Sequence, residues 1–177
     1  KENGFFNSGV DALASSAGVT SGALYKHFAG KSGLFAAVVE SEIQKSLARF
    51  TNVEPQDFAG IERSLADYLS AQHVRAPGSG CMLPAMPTEV AHSDEMTKQI
   101  FQRGLQEIQR CVSQWTQDGE SAWALLSQCV GAVMLARAMS DESAQKEVLR
   151  AVRHNATQLL AQQTPPKITK RRLKGGA

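Results

Sequence analysis

Residues 4–34, GFFNSGVDALASSAGVTSGALYKHFAGKSGL, decide the fold of this chain. Ser8 and Asp11 form an S-x-x-D capping pattern ahead of an apolar run, which predicts a short helix that ends at Gly18. A second short helix opens at Thr20, a residue type that commonly caps helices. Two short helices joined by a tight glycine-containing turn predict a helix-turn-helix.

The same stretch resembles the DNA-binding domain of the TetR family of transcriptional regulators. The matching features are the aromatic turn before Ser8, the run Ala17-Gly18-Val19, the pattern across residues 20–28, and Lys31 ahead of Leu34. The resemblance implies an all-α protein with an N-terminal helix-turn-helix DNA-binding domain and a C-terminal helical ligand-binding and dimerisation domain. Most of the family's first helix is missing ahead of this stretch, so we expect the natural chain to extend further toward its N-terminus.

Residues of the second short helix have the properties that DNA contact requires. A recognition helix needs small or polar residues at its N-terminal end, because its backbone must approach the major groove. Thr20 can also offer its hydroxyl to a phosphate, and Lys31 lies at the start of the next helix, where backbone N–H groups favour an anion. The DNA-binding residues we predict are Ser8, Thr20, Ser21, Gly22, Ala23, Tyr25, Lys26, His27 and Lys31.

Several of these assignments have a structural alternative. Tyr25 could be a half-buried core residue, His27 could cap or pack, and Lys31 could be only a solvated lysine. Ser21 departs from the family pattern, in which many members carry a basic residue at this position. Apolar side chains should hold the two helices together, and the predicted set is Leu13, Ala17, Val19, Leu24 and Phe28.

The rest of the chain is predicted to form further helices. A long helix is predicted over residues 31–50, and apolar residues recur every four positions from Ile61. After a Pro/Gly loop at 76–80, three helices are predicted: one capped by Ser93, one over residues 121–139, and one that opens near residue 140 and stops at 165. No run shows sustained β alternation. We therefore predict a DNA-binding domain at 1–35, a ligand-binding and dimerisation domain at 36–164, and a basic flexible tail at 165–177.

Charge is unevenly distributed along the chain. The 19 basic and 17 acidic residues give a net charge of +2. Five of the basic residues lie in the tail, so the chain before the tail has a net charge of −3. A protein that neutralises phosphates usually presents a more basic face, so composition alone does not indicate DNA binding. The tail is either a solvated extension or a nonspecific phosphate-binding segment.

A ligand pocket is expected among the middle helices, because methionine and aromatic side chains suit an adaptable apolar cavity. Ordinary core packing is the alternative for each of these residues. Polar anchors could come from Glu89, His92 and Arg103. The pocket candidates are Met82, Met86, Phe101, Cys111, Trp115 and Met134.

No metal site or cofactor is predicted. The sequence contains no CxxC or HExxH motif, and the spacing of His73, Cys81 and His92 matches no standard zinc pattern. We find no nucleophile motif, phosphate-cradling glycine loop or paired metal ligands, so we expect a protein that is not an enzyme. No apolar run reaches membrane-spanning length and no secretory leader is evident, so a cytoplasmic location is expected.

The resemblance implies a ligand-responsive regulator, usually a repressor, that binds a two-fold DNA operator as a homodimer and is released by a small apolar effector. An alternative is a redox-sensing regulator of the same fold, in which Cys81 responds to oxidants. A helical interaction protein that has lost DNA binding is a further alternative, and the intact pattern of residues 20–28 argues against it.

Overall fold

The computed structural model describes residues 10–16 and 18–163; the side chains of residues 10, 13, 16 and 163 are not part of that description. Over these residues the chain forms helices and no strand, which confirms the predicted all-α class. The helices are α1 (Val10–Ser16), α2 (Ser21–His27), α3 (Gly30–Thr51), α4 (Phe58–Tyr68), α5 (Ala71–Arg75), α6 (Pro87–Ala91), α7 (Glu95–Thr116), α8 (Gly119–Ala138) and α9 (Glu142–Gln163).

The turn between α1 and α2 depends on Gly18. Its φ of +68° lies in the left-handed region, which glycine adopts without steric cost. In that conformation its N–H donates to the carbonyl of Ser15 at 3.1 Å, and the N–H of Val19 donates to the carbonyl of Ala14 at 3.0 Å. These bonds satisfy carbonyls at the end of α1, so the chain turns sharply into α2.

The core forms where α3 packs along α7. Residues spaced three or four apart on α3 are fully buried, including Phe35, Val39 and Ile43, and they face Ile108 and Val112 of α7. This spacing places their side chains on one face of the helix. Because α3 begins beside α2 and continues into this core, it connects the helix-turn-helix to the rest of the described chain.

The apolar helix α8 packs against both α7 and α9. Asp118 caps its N-terminus, with Oδ1 accepting from the N–H groups of Glu120 and Ser121 at 2.9 Å each. By length and composition alone α8 could cross a membrane, and the core helix of a globular protein passes the same test. Its buried residues pack inside the fold, whereas Trp123, Met134 and Leu135 remain 40–57% exposed.

Several predicted helix boundaries are corrected by the structure. The cap of α7 is Asp94 rather than Ser93, since the Asp94 carboxylate accepts from the N–H of Thr97 at 2.8 Å. Helix α8 covers residues 119–138 rather than 121–139. The short helices α5 and α6 were missed because each has only five residues, too few for a periodic pattern. The predicted tail at 165–177 lies outside the described residues.

Candidate functional site

Helix α2 has the capped, exposed form that a recognition helix requires. The Thr20 hydroxyl accepts from the N–H of Ala23 at 3.2 Å, which fixes the start of the helix. The Ser21 hydroxyl donates to the Asp11 carboxylate on α1, which ties the two helices together. No residue of α2 is buried, so the helix has a broad face open to a partner.

The structure places most of the predicted DNA-binding residues on or beside this open face. Tyr25 is 57% exposed, and Thr20, Gly22, Lys26 and His27 are exposed as well. Ser21, Ala23 and Lys31 are partly buried, and Lys31 makes further interactions. Ser8 lies outside the described residues. At Gly22 a side chain would meet only the Thr20 hydroxyl, at 3.9 Å, so the helix backbone is bare toward solvent there.

The predicted core of this unit needs correction at one position. Leu24 and Phe28 are partly buried as expected, but Val19 is 44% exposed. Val19 lies in the turn, where neither α1 nor α3 covers it, although its N–H is bonded back to Ala14. Nothing is described for the side chains of residues 13 and 17. Ala14, which was not in the predicted set, is buried at the α1–α2 turn.

A cavity of about 790 Å³ opens between the C-terminal end of α3, α4, α5, and the facing sides of α7 and α8. Its size falls within the range typical of small-molecule sites. Its floor is apolar and buried, built from Val112, Trp115, Leu125, Leu126 and Cys129. Phe50 adds a second aromatic ring, with its centroid 5.9 Å from that of Trp115.

The mouth of the cavity is polar and exposed. Arg49 reaches across it from the end of α3 and donates to the carbonyl of Ser79 at 3.0 Å. On the opposite wall Arg63 pairs with Asp57 at 3.4 Å, and Asp57 also caps α4 by accepting from the N–H of Gly60 at 2.9 Å. Residues of α3 thus contact both the mouth and the floor, so an occupant would touch the helix that leads to α2.

Among the predicted pocket residues, Trp115 lines this cavity and the other five do not. Met82 and Met86 are fully enclosed in the core, and Met134 lies on the exposed face of α8. Phe101 and Cys111 are partly buried on α7, away from the cavity walls. The predicted polar anchors Glu89, His92 and Arg103 also lie elsewhere. The walls formed by α4 and α5 had no sequence signal, because their cavity-lining residues are mostly polar or small.

His73 holds the loop beneath the cavity in place. Its Nδ1 lies 2.7 Å from the carbonyl of Tyr68, which can only accept, so Nδ1 carries the proton. Its Nε2 then accepts from the N–H of Cys81 at 3.1 Å, so the imidazole is a neutral, doubly bonded linker. Gly80 permits this packing, because a Cβ there would come within 2.6 Å of the imidazole Cδ2.

Two polar atoms in the same region are buried without a hydrogen-bond partner in the described part of the chain. They are the Tyr68 hydroxyl and Nη1 of Arg137. Burial raises the pKa of Tyr68 well above its usual value, so the phenol stays neutral. Arg137 uses its other nitrogens to donate to the carbonyls of His73, at 2.9 Å, and Val74, at 3.4 Å.

The cysteines lack the environment of reactive thiols. Cys81 is 1% exposed, and its thiol donates to the Ser46 hydroxyl at 3.3 Å. Burial raises the pKa of Cys129 to about 12, and burial also raises the pKa of Cys111. The redox alternative relied on an accessible Cys81 in a loop, and this premise is wrong, because the loop folds inward onto His73.

No cluster of three or more His, Cys, Asp or Glu side chains suited to a metal ion occurs among residues 10–16 and 18–163. His73 and Cys81 are neighbours, as their hydrogen bond shows. His92 instead bonds the carbonyl of Thr88 on α6, at 2.7 Å from its Nδ1. His73 therefore links α4 to the loop at Cys81, and His92 bonds back to α6 from the residue that follows this helix.

Comparison with known proteins yields one family match. Residues 1–38 match the model of the family described as bacterial regulatory proteins, tetR family. No curated protein matches the chain. The matched segment contains the Gly18 turn, the Thr20 cap and the exposed helix α2, which are the structural parts of a helix-turn-helix. Residues 1–38 are therefore similar to the helix-turn-helix DNA-binding domain of this family, and residues 39–177 lie outside the match.

Proposed function

We propose that this protein is a ligand-responsive repressor that binds a two-fold operator as a homodimer and is released by a small apolar effector. The observation that carries the proposal is the exposed helix α2, capped by Thr20 and lying within the segment that matches the family. Its bare backbone at Gly22 supports close approach to a major groove.

The proposed DNA contacts divide into two kinds. Thr20, Tyr25 and Lys31 contact phosphates, which set the position of the protein on the duplex. Lys26 and His27, exposed in the last turn of α2, reach base edges or neighbouring phosphates. The remaining proposed contacts, Ser8, Ser21, Gly22 and Ala23, allow or support the close approach of the helix.

A homodimer is proposed because one helix-turn-helix reads only half of a two-fold operator. Paired recognition helices must lie roughly 34–36 Å apart to enter successive major grooves. The exposed apolar side chains of α8 support pairing through α8 and α9 into a four-helix bundle, since Trp123, Met134 and Leu135 would otherwise face water. Gly131 would permit close helix approach, because nothing lies within 4 Å of a Cβ built there.

The proposed effector site is the cavity bounded by α3, α4, α5, α7 and α8. Arg49 and Phe50 belong to the last turn of α3. The first residue of α3, Gly30, is separated from the end of α2 by only two residues. An effector that displaces the end of α3 would therefore change the position of α2. Such an effector must bind the DNA-released conformation more tightly than the DNA-bound one, or the equilibrium does not shift.

The proposed domains are a DNA-binding domain at 1–35, a ligand-binding and dimerisation domain at 36–164 and a basic tail at 165–177. The first boundary falls inside α3, which covers residues 30–51. One continuous helix is thus shared between the two functional parts, which supports α3 as the connection between them. We propose a regulatory rather than catalytic role, in the cytoplasm.

The test is binding of the full chain to DNA flanking its own gene at two salt concentrations, compared with a Gly22→Arg, Tyr25→Ala double variant. Both sites are exposed, so the variant should fold normally. A Gln102→Arg variant on the exposed side of α7 controls for the added charge. We expect dimeric, sequence-selective binding that only the double variant loses. Equal, weak and salt-sensitive binding by all three proteins would contradict the role of α2 and indicate the basic tail.

A further inference from the structure

The floor of the cavity is an aromatic and aliphatic surface without an ionised group. Its side chains are Phe50, Val112, Trp115, Leu125 and Leu126. The Phe50 and Trp115 rings are tilted by 36° at 5.9 Å and form one wall. A flat apolar body placed here would replace water with close contacts on several sides.

Charge is confined to the mouth and is balanced there. The charged residues that line the cavity are Arg49, Asp57, Arg63 and Asp67, two positive and two negative, and all four are exposed. They give the mouth no preference for an anion or a cation. An ion carried down to the floor would lose its hydration without gaining a counter-charge.

The Cys129 thiol gives separate evidence that the floor of the cavity solvates charge poorly. It lines the floor, and burial raises its pKa to about 12, because a thiolate there would be poorly solvated. The same surroundings would penalise a carboxylate, sulfonate or ammonium group of an occupant.

The floor also contains one polar group, the indole N–H of Trp115, that could bind an occupant. The indole N–H of Trp115 bonds to no group within the described ranges, although the residue is only 5% exposed. It is not sealed in the core as the Tyr68 hydroxyl is. Trp115 lines the cavity, so an indole N–H turned toward it would be a donor for an occupant. A buried donor gains from an acceptor that replaces the water it loses.

We infer that the cavity takes an uncharged, flat aromatic molecule that carries a hydrogen-bond acceptor, with its rings against Phe50 and Leu126 and its acceptor bonded to the Trp115 indole N–H. The inference rests on the proposed function only in treating this cavity as the effector site. It adds the chemical class of the effector and the residue that selects it.

The experiment uses two fluorescent probes with the same anilinonaphthalene body, neutral N-phenyl-1-naphthylamine and anionic 8-anilino-1-naphthalenesulfonate. The protein is the full chain carrying Trp123→Phe, which leaves Trp115 as its sole tryptophan. Energy transfer from Trp115 to the probe reports occupancy. We expect saturable binding of one neutral probe per chain and at least tenfold weaker binding of the sulfonate. Comparable or tighter sulfonate binding would overturn the inference, because it would mean that Arg49 and Arg63 select an anion.

Two matched variants locate the probe. Ser64→Phe places a ring in the cavity from the α4 wall, where Ser64 is only partly buried, and should abolish transfer. Gln102→Phe adds the same ring on the exposed side of α7 and should leave transfer unchanged. Binding that is insensitive to Ser64→Phe would place the probes outside the cavity and contradict the inference.

The acceptor is tested with a neutral naphthyl ketone, 6-propionyl-2-dimethylaminonaphthalene. Both this ketone and N-phenyl-1-naphthylamine are followed here by their own emission, because the variant used removes the Trp115 energy donor. Trp115→Phe keeps an aromatic ring but removes the N–H. We expect the ketone to lose about fivefold in affinity, as one net hydrogen bond predicts, while N-phenyl-1-naphthylamine loses little. Equal losses for both probes would show that Trp115 acts only through packing, and the acceptor part of the inference would be wrong.

Operator binding is measured on the same proteins and separates the two proposals. Normal operator binding together with failure of the neutral probe would contradict the ligand class and leave the DNA-binding function standing. Tight cavity binding that leaves operator affinity unchanged would support the ligand class and contradict the proposed regulation by this cavity.

Discussion

Ile43 of α3 lies directly against the bare backbone of Gly104 on α7. A Cβ built at Gly104 would overlap Cγ1 of Ile43 and come within 2.9 Å of its Cγ2. Both residues are buried, so neither helix can shift outward without opening the core. The close approach fixes the path of α3 between the cavity and α2.

Gly104→Ala should therefore destabilise the protein by about 1–3 kcal/mol, as overpacking of a filled core does, despite the better helix propensity of alanine. Urea denaturation followed by circular dichroism measures the change. Gln102→Ala, two residues away on the exposed side of α7, is the control and should be close to neutral. A Gly104→Ala protein as stable as the control would show that α3 and α7 can separate freely.

The exposed face of α8 provides a test of the proposed dimer. Leu135→Arg should give a folded monomer, because Leu135 is 57% exposed and the substitution puts a charge into the proposed bundle. Met96→Arg is a matched control, since Met96 is an equally exposed apolar residue, 58%, on α7. Light scattering after size exclusion gives the mass. A wild-type monomer, or equal effects of the two variants, would rule out this interface.

The N-cap of α8 predicts a pH dependence of stability. Hydrogen bonds from Ser121, followed by that from the N–H of Glu120, lower the pKa of Asp118 below its usual 3.8. Since the folded-state pKa is the lower one, the stabilisation is complete above about pH 3.8 and is lost as the pH falls through the folded-state pKa. Asp118→Asn keeps a capping side chain but cannot titrate, so its unfolding free energy should change less over this range than that of wild type.

An Asp118→Ala variant separates capping from charge: at neutral pH it should be the least stable protein, and Asp118→Asn, which keeps the cap but loses the charge, should lie between it and wild type. Thermal denaturation from pH 3 to 7 measures all three proteins. Parallel pH profiles for wild type and Asp118→Asn would contradict the assigned pKa shift.

Thiol accessibility distinguishes the proposed regulator from a redox sensor. In the native protein, 5,5′-dithiobis(2-nitrobenzoate) should label Cys111 before Cys81 and Cys129, since only Cys111 is partly exposed. Cys81 and Cys129 should react after unfolding in guanidinium chloride. Cys81→Ser should leave operator binding unchanged in the presence and absence of peroxide. Rapid native labelling of Cys81 would revive the redox interpretation.

The local elements were predictable because their signals lie close together in the sequence. Gly18 predicted a helix end with a tight turn and Thr20 predicted a helix cap, and both have those roles in the structure. The periodic stripes of α3 and α7, and the continuous apolar run of α8, predicted long helices to within a few residues. A 3.6-residue period and a capping residue act within one or two turns, so a short segment of sequence is enough to predict a helix and its start.

The cavity was not predictable in the same way. Five of the six expected pocket residues lie elsewhere, and the walls include polar residues of α4 and α5 that carry no sequence signal. Cys81 looked like an accessible loop residue until the hydrogen bond from its N–H to His73 placed it in the core.

The sequence by itself therefore determined the all-α class, the helix-turn-helix and the similarity of residues 1–38 to the tetR family, because each depends on local periodicity, capping and a short motif. Only the tertiary structure decided which side chains line the cavity, which thiols are enclosed and that Phe50 meets Trp115. Those outcomes depend on how residues 65 positions apart pack together. That packing is set by the sum of many contacts between helices rather than by any pattern within one of them.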